Sequence, residues 1–270
     1  MKFCRFLPLA SAPDASTQLA ADSGTRARYA LLEGEEVREI SAAPWEKWEA
    51  GAQSWPLAEV RLLAPVQPRK IVCVGKNYAA HAAELGTEVP KEPLIFLKPS
   101  TSLIGPGDEI VLPRYSQRVE HEGELAMVIG RRCSQLADAD DALSYVLGYA
   151  CLNDVTARDL QKSDVQFTRA KGFDTFCPVG PHIETQLDPA NALVESYVNG
   201  AVRQSGNTSL MVYPCAFLVR WISRMMTLEA GDVIATGTPA RVGPLLPGDS
   251  VEVRVAGIGV LRNPVRASHL

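Results

Sequence analysis

What this chain lacks narrows its class before any motif is read. It has no run of apolar residues long enough to span a bilayer, so an integral membrane protein is not expected. Basic tracts are missing too, and a formal net charge of −4 argues against a nucleic-acid surface. There is no C-x-x-C. The cysteines Cys4, Cys73, Cys133, Cys151, Cys177 and Cys215 are scattered, which speaks against a disulfide scaffold and fits reduced, mostly buried thiols in the cytoplasm. Even the apolar N-terminus falls short of a leader, because Arg5 and Pro8 interrupt it; a first strand is expected there.

What is present is an ordinary globular composition, 46% hydrophobic and 21% charged over 270 residues. That suits one large domain with a small appendage. Residues 1–66 read as a small N-terminal domain and 67–270 as the main one, with the prolines of Ala64-Pro65-Val66-Gln67-Pro68 marking a linker. The first part predicts a hairpin over 28–40 turning at Glu33-Gly34-Glu35, and its Trp45, Trp48 and Trp55 are expected to pack onto the next domain. Beyond the linker, Lys70–Gly75 predicts a buried strand. Tyr78–Leu85 predicts a helix capped by Asn77 and ended by Gly86.

Leu94–Lys98 predicts another strand, ending in a lysine whose role the sequence leaves open. Asp138, Asp140 and Asp141 read as acids at a helix start rather than as ligands. Ala192–Val198 with Asn199-Gly200 predicts a strand and its hairpin turn. Pro214–Met226 predicts an amphipathic helix turning Phe217, Trp221, Ile222 and Met225 to the core. A turn-Gly-Asp-strand pattern recurs at Gly107-Asp108, Gly231-Asp232 and Gly248-Asp249. The sum is a predominantly β chain with short helices and a closed or rolled sheet.

The stretch Val119–Gly130, V-E-H-E-G-E-L-A-M-V-I-G, carries the chemistry. In a strand Glu120, Glu122 and Glu124 would share one face. Like charges that close repel, so the cluster is either a solvated acidic edge or a site for a divalent cation. Asp154, at the end of another strand, completes a three-carboxylate set with two of these glutamates, suited to Mg²⁺ or Mn²⁺. On the predicted helix His81 and Glu84 stand at i,i+3, a spacing that lets the carboxylate orient a general-base imidazole; a plain surface pair is the alternative. Lys171 lies in a Gly- and Pro-rich loop, positioned to receive a substrate carboxylate or simply solvated.

Four blocks together resemble the fumarylacetoacetate hydrolase family, its acylpyruvate hydrolase and 2-hydroxyhepta-2,4-diene-1,7-dioate isomerase-like subgroup. They are G-K-N-Y-A-A-H-A-A-E at 75–84, E-H-E-G-E-L-A-M-V-I-G at 120–130, N-D-V-T-A-R-D-L-Q at 153–161, and V-N-G-A-V-R-Q-S-G-N-T with G-D-V-I-A-T-G-T-P at 198–208 and 231–239. The resemblance implies a mixed β-roll catalytic domain, a small N-terminal α/β domain and a homodimer. It assigns Glu122, Glu124 and Asp154 as metal ligands and leaves Glu120 in a structural role. It matches His81 and Glu84 to a water-activating dyad, Lys171, Gln161 and Thr238 to positions facing the substrate, and Arg158 more weakly. The implied activity is divalent-metal-dependent hydrolysis of a C–C bond in acylpyruvate- or fumarylpyruvate-type 2,4-dioxo acids through a stabilised enolate. Isomerisation or decarboxylation of 2-oxo or 2-hydroxy diacids, as in aromatic catabolism, is the alternative. One departure is Ala240-Arg241-Val242-Gly243, where the family often has x-G-V-G; Arg241 either extends into the site or caps a surface turn.

Overall fold

A computed structural model describes residues 1–9 and 26–268. The N-terminal part consists of β1 (Lys2–Pro8), β2 (Arg28–Glu33), β3 (Glu36–Ile40), β4 (Ala50–Pro56) and β5 (Val60–Leu63). β2 and β3 form the expected hairpin, closing on the Glu33–Glu36 pair with Gly34 at φ 64°. A two-residue loop whose first central residue has positive φ matches the right-handed strand twist, and glycine adopts it without steric cost. Among the described residues of this part the one helical element is the 3-10 turn Leu57–Glu59.

The remaining chain contributes β6 (Ile71–Gly75), α1 (Ala79–Glu84), β7 (Leu94–Lys98), β8 (Leu103–Ile104), β9 (Ile110–Leu112), β10 (Val119–His121), β11 (Gly123–Ile129) and β12 (Val146–Asn153). Then come β13 (Thr156–Ala157), α2 (Arg158–Ser163), α3 (Thr168–Lys171), β14 (Cys177–Glu184), β15 (Leu193–Val198) and β16 (Ala201–Asn207). The last are α4 (Cys215–Met225), β17 (Val233–Ala235), β18 (Gly243–Pro244), β19 (Ser250–Val255) and β20 (Gly259–Ala267). The main sheet runs β4-β3-β2-β1-β14-β12-β11-β17-β6-β7, a second β16-β15-β19-β20-β9, and a small third β13-β10-β18. Pairing is parallel at β6–β17, β8–β14 and β9–β20 and antiparallel elsewhere, a mixed arrangement.

β11 is buried along its whole length. Leu125, Met127 and Ile129 enter a core shared with β19 and α4, while Ala126 and Val128 enter a second core with Ile71, Ala150 and Val179. A strand covered on both faces reads as an unbroken apolar run, which is the pattern of 125–129. The acids sit where this strand begins, at the rim of the second core.

Trp45 packs as expected: a Cβ on Gly231 would come within 2.8 Å of its ring. Trp48 meets Phe3 of β1 edge-on with centroids 5.6 Å apart, a contact inside the N-terminal part, and also borders the core that holds Ile71 and Val233. Trp55 stays within the N-terminal strands, against Phe6 and under Arg28. The expected linker is a packed strap: Ala64, Pro65, Val66 and Pro68 are buried. β1 also hydrogen-bonds to β14, so both parts share one sheet.

The three Gly-Asp turns are the same local device. Gly107, Gly231 and Gly248 have φ of 78°, 86° and 93°. Each aspartate accepts the N–H of the residue three before it, at 2.8, 2.8 and 2.7 Å, and returns its own N–H to that residue's carbonyl. α4 departs from its predicted face. Cys215, Leu218, Val219, Ile222 and Ser223 are buried. Ile222 is the one predicted core residue among them; Trp221 is half-buried, Phe217 stacks on Tyr213 and stays 38% exposed, and Met225 is 49% exposed. No helix among the described residues is long and apolar enough to cross a membrane.

Candidate active site

Glu122 falls in the break between β10 and β11, where its N–H donates to Asn153 Oδ1 at 3.0 Å. The break separates the three glutamates that a continuous strand would align. Glu120 is held outside by Arg118 Nε at 2.5 Å and Arg158 Nε at 2.6 Å. Antiparallel pairing of Gly123 with Asn153 brings in Asp154, whose N–H donates to Glu122 O at 2.9 Å. Oxygens of Glu122, Glu124 and Asp154 then lie within 4.8 Å of one another, all three residues buried.

The electrostatics of this cluster are uneven. Asp154 accepts from Lys98 Nζ at 2.6 Å on Oδ1 and from Lys171 Nζ at 2.6 Å on Oδ2. Lys171 also donates to Glu122 Oε2 at 2.8 Å and lies 5.0 Å from the centre of the Phe96 ring. Arg158 adds bonds to Glu122 and to Gln161 Oε1. Burial alone would push the Glu122 carboxyl up, but the Lys171 and Arg158 charges overcome it and hold it well below the usual range. Burial would likewise depress Lys171, and Asp154 and Glu122 instead hold its ammonium above its ordinary value.

Glu124 is the exception. Its protein partner is the Gly237 N–H at 2.8 Å, and burial, then the Asp154 and Glu122 charges, push its carboxyl well above the usual range. A buried carboxyl without a cation, flanked by two carboxylates, fits a divalent ion, and the all-oxygen donor set fits Mg²⁺ or Mn²⁺. Gly237 makes the approach possible. Its φ is 100°, and a Cβ there would lie 2.7 Å from Asn77 Cβ.

The dyad sits on α1. His81 is buried, and its Nδ1 lies 3.2 Å from Glu84 Oε2. Gly86 ends the helix at φ 68° as expected. Asn77 does not cap it; Tyr78 holds the cap position without a side-chain bond. The Asn77 amide is drawn instead to Thr236 O at 2.7 Å and to both the carbonyl and N–H of Tyr213. Arg241 meets the dyad through its backbone: its N–H donates to Glu84 Oε2 at 2.9 Å and Oε1 at 3.0 Å, while its side chain is exposed.

One cavity of about 210 Å³ is lined by His81, Glu122, Glu124, Asp154, Arg158, Gln161, Lys171 and Thr238, with Glu84 behind His81. Two expectations change in detail. Arg158 and Lys171 are committed to the carboxylates, and the Thr238 hydroxyl donates inward to Gly123 O at 2.8 Å. Sequence reasoning missed the Phe96 and Phe167 wall, whose rings meet edge-on at 5.6 Å, and left Lys98 unassigned. The apolar strand ending in Lys98-Pro99 was the one signal for that buried lysine.

This constellation agrees with what the sequence matches. The family described as fumarylacetoacetate (FAA) hydrolase C-terminal covers residues 70–266, and one described as Rv2993c-like, N-terminal covers 1–65. The chain belongs to the fumarylacetoacetate hydrolase family. It is 53% identical to Protein Rv2993c of Mycobacterium tuberculosis over 85% of this chain and 87% of that one. It is 45% identical to the human mitochondrial oxaloacetate tautomerase FAHD2A over 78% of this chain and 71% of that one. Among solved structures, 5-carboxymethyl-2-hydroxymuconate delta-isomerase from Mycobacterium smegmatis superposes with a TM-score of 0.86 at 46% identity, covering 99% of this chain and 100% of that one. Fumarylacetoacetate hydrolase family members are enzymes, and their named chemistries here include hydrolysis, isomerisation and tautomerisation.

Proposed function

We propose that this chain is a divalent-metal-dependent hydrolase that cleaves the C–C bond of acylpyruvate- or fumarylpyruvate-type 2,4-dioxo acids. The observation that carries the reading is the opening of His81, oriented by Glu84, onto the same cavity as the three carboxylates. With Nδ1–H donated to Glu84, His81 Nε2 is left as the base that takes a proton from water. The resulting hydroxide attacks the carbonyl distal to the carboxylate, the bond from that carbon to the pyruvate methylene breaks, and the proton taken up by His81 Nε2 is returned to the departing enolate carbon. Gln161 turns its oxygen to Arg158, which leaves its NH₂ for the substrate carboxylate. Phe96 and Phe167 shield one side from bulk water. Glu122, Glu124 and Asp154 would hold Mg²⁺ or Mn²⁺, which when bound would supply Lewis-acid stabilisation of an enolate. A homodimer in the cytoplasm belongs to the same proposal, supported by the resemblance and by six buried free cysteines.

The second reading, an isomerase, tautomerase or decarboxylase of 2-oxo diacids, is favoured by the names of the relatives above. It needs the same enolate stabilisation but no attacking water. An assay panel with Mg²⁺ and Mn²⁺, comparing acylpyruvates, fumarylpyruvate, oxaloacetate and 2-hydroxyhepta-2,4-diene-1,7-dioate by product identity, separates the two. Hydrolysis expects pyruvate plus a carboxylic acid, and a fall of about 10²-fold or more in His81→Ala. Intact acylpyruvates beside converted oxaloacetate or dienedioate would transfer the assignment to the second reading. Full turnover by Glu122→Gln at limiting Mg²⁺ would remove Glu122 from the ligand set.

A further inference from the structure

The block V-N-G-A-V-R-Q-S-G-N-T supplies no group to the cavity, yet its Gln204 is completely buried on β16, the end strand of the second sheet. A glutamine taken wholly out of water needs partners for its amide. Gln204 Nε2 donates to Thr238 Oγ1 at 2.8 Å and to Pro239 O at 2.6 Å. Its Oε1 accepts from Gly123 N–H at 2.9 Å and contacts His121 Nδ1 at 3.2 Å. The Pro239 carbonyl can only accept and the Gly123 N–H can only donate, so the amide has one possible orientation and His121 Nδ1 carries the hydrogen. All four bonds an amide side chain can make are in use.

Two ends of this clamp are parts of the site. Gly123 is the residue between Glu122 and Glu124, and Thr238 lines the cavity. Thr238 Oγ1 closes a ring by donating to Gly123 O at 2.8 Å, so the Gly123 peptide is gripped at its N–H and its C=O. We propose that Gln204 is a positioning residue that sets the spacing between the Glu122–Glu124 turn and the Thr238–Pro239 wall, and through it both metal affinity and substrate fit. The substrate half rests on the proposed function; the metal half does not.

The test uses the full chain, with Mn²⁺ affinity measured by calorimetry or electron paramagnetic resonance and KM and kcat measured separately. Gln204→Leu fills similar space without polar atoms. Gln204→Glu keeps the acceptor for Gly123 and loses the paired donors to Thr238 and Pro239, so it serves where the leucine variant fails to fold. Ser196→Ala, opposite Gln204 on β15 and losing only a hydroxyl whose one bond among these groups is to His121, is the control for a merely structural loss. Expected is a weakening of Mn²⁺ binding by about fivefold or more in a folded Gln204 variant, the scale of one lost hydrogen bond. KM should rise more than kcat falls, and Ser196→Ala should leave both unchanged. The proposal is overturned by wild-type Mn²⁺ affinity and KM in a folded Gln204 variant, by an equal shift in Ser196→Ala, or by absence of Mn²⁺ binding in the wild type. Wild type that binds Mn²⁺ but turns over no panel substrate would sink the functional reading alone, and Mn²⁺ affinity would still decide the role of Gln204.

Discussion

Both oxygens of Asp154 are engaged, one by Lys98 and the other by Lys171, and the two lysines differ in what else they touch. Lys171 faces the cavity, whereas Lys98 is 1% exposed, and its second bond runs to Val155 O at 3.1 Å. Replacing Lys98 by Met removes the buried partner of a carboxylate and of a carbonyl. A loss of about 3–5 kcal/mol in unfolding free energy is expected, the usual cost of breaking a buried pair from one side. Urea unfolding without added metal measures it; a loss below about 1 kcal/mol would mean that other groups take over the pairing. Arg241 illustrates the opposite case. It is an exposed residue at φ 76°, a left-handed conformation that a side chain resists and glycine adopts freely. Arg241→Gly keeps the N–H that Glu84 accepts and should raise stability by about 1 kcal/mol, read as a higher urea midpoint. A lower midpoint would show that the arginine side chain makes stabilising contacts. At this scale Glu122, Glu124 and Asp154 were legible through their motifs. Strand alternation alone put Glu120 on a face with Glu122 and Glu124, because it assumes a continuous strand, and this one breaks at Glu122. Lys98 was opaque because a strand-end lysine is ordinarily solvated, and its burial depends on Asp154, distant in sequence.

At the scale of elements, legibility followed how local the cause is. Gly34 and the Asn199-Gly200 pair, with φ of 53° and 78°, fix their hairpins by backbone sterics that three or four residues contain. The Gly-Asp turns are equally self-contained. Asn77 is different: capping competed with three tertiary partners, and the tertiary partners won. α4 failed in a further way. Its apolar residues surround more than half of the helix, so spacing alone could not choose the buried stripe, and the packing of both sheets chose Leu218, Val219 and Ile222. The difference is measurable. Ile222→Ala should cost about 2–5 kcal/mol, as a large-to-small change in a closed core. Phe217→Ala, which loses a partly exposed ring stacked on Tyr213, should cost about 1 kcal/mol. Equal losses in urea unfolding would put the buried face of α4 elsewhere.

At the scale of the molecule, the N-terminal strands and the catalytic part join edge to edge, with Lys2 opposite Glu184 and Phe3 opposite Ile183. Composition pointed to an appendage and a linker; a shared sheet cannot be read from composition, because edge pairing between distant strands leaves no local periodicity. His182 lies on β14 at this seam, 4% exposed, with neither ring nitrogen hydrogen-bonded among the described residues. Burial, then the Lys2 charge, lowers its pKa to about 4 from an ordinary 6.5. The folded chain therefore keeps this ring neutral where the unfolded chain protonates it. The stability that His182 allows is complete above about pH 6.5 and is lost as pH falls towards about 4, by roughly 3 kcal/mol over that window. Carboxylates titrate in the same range, so the informative quantity is the difference between wild type and His182→Phe. The variant should lose about 3 kcal/mol less unfolding free energy than wild type between pH 7 and pH 4, whatever its absolute stability. Parallel pH profiles for the two would mean that the folded ring accepts a proton as readily as the unfolded one, and that the seam does not exclude charge.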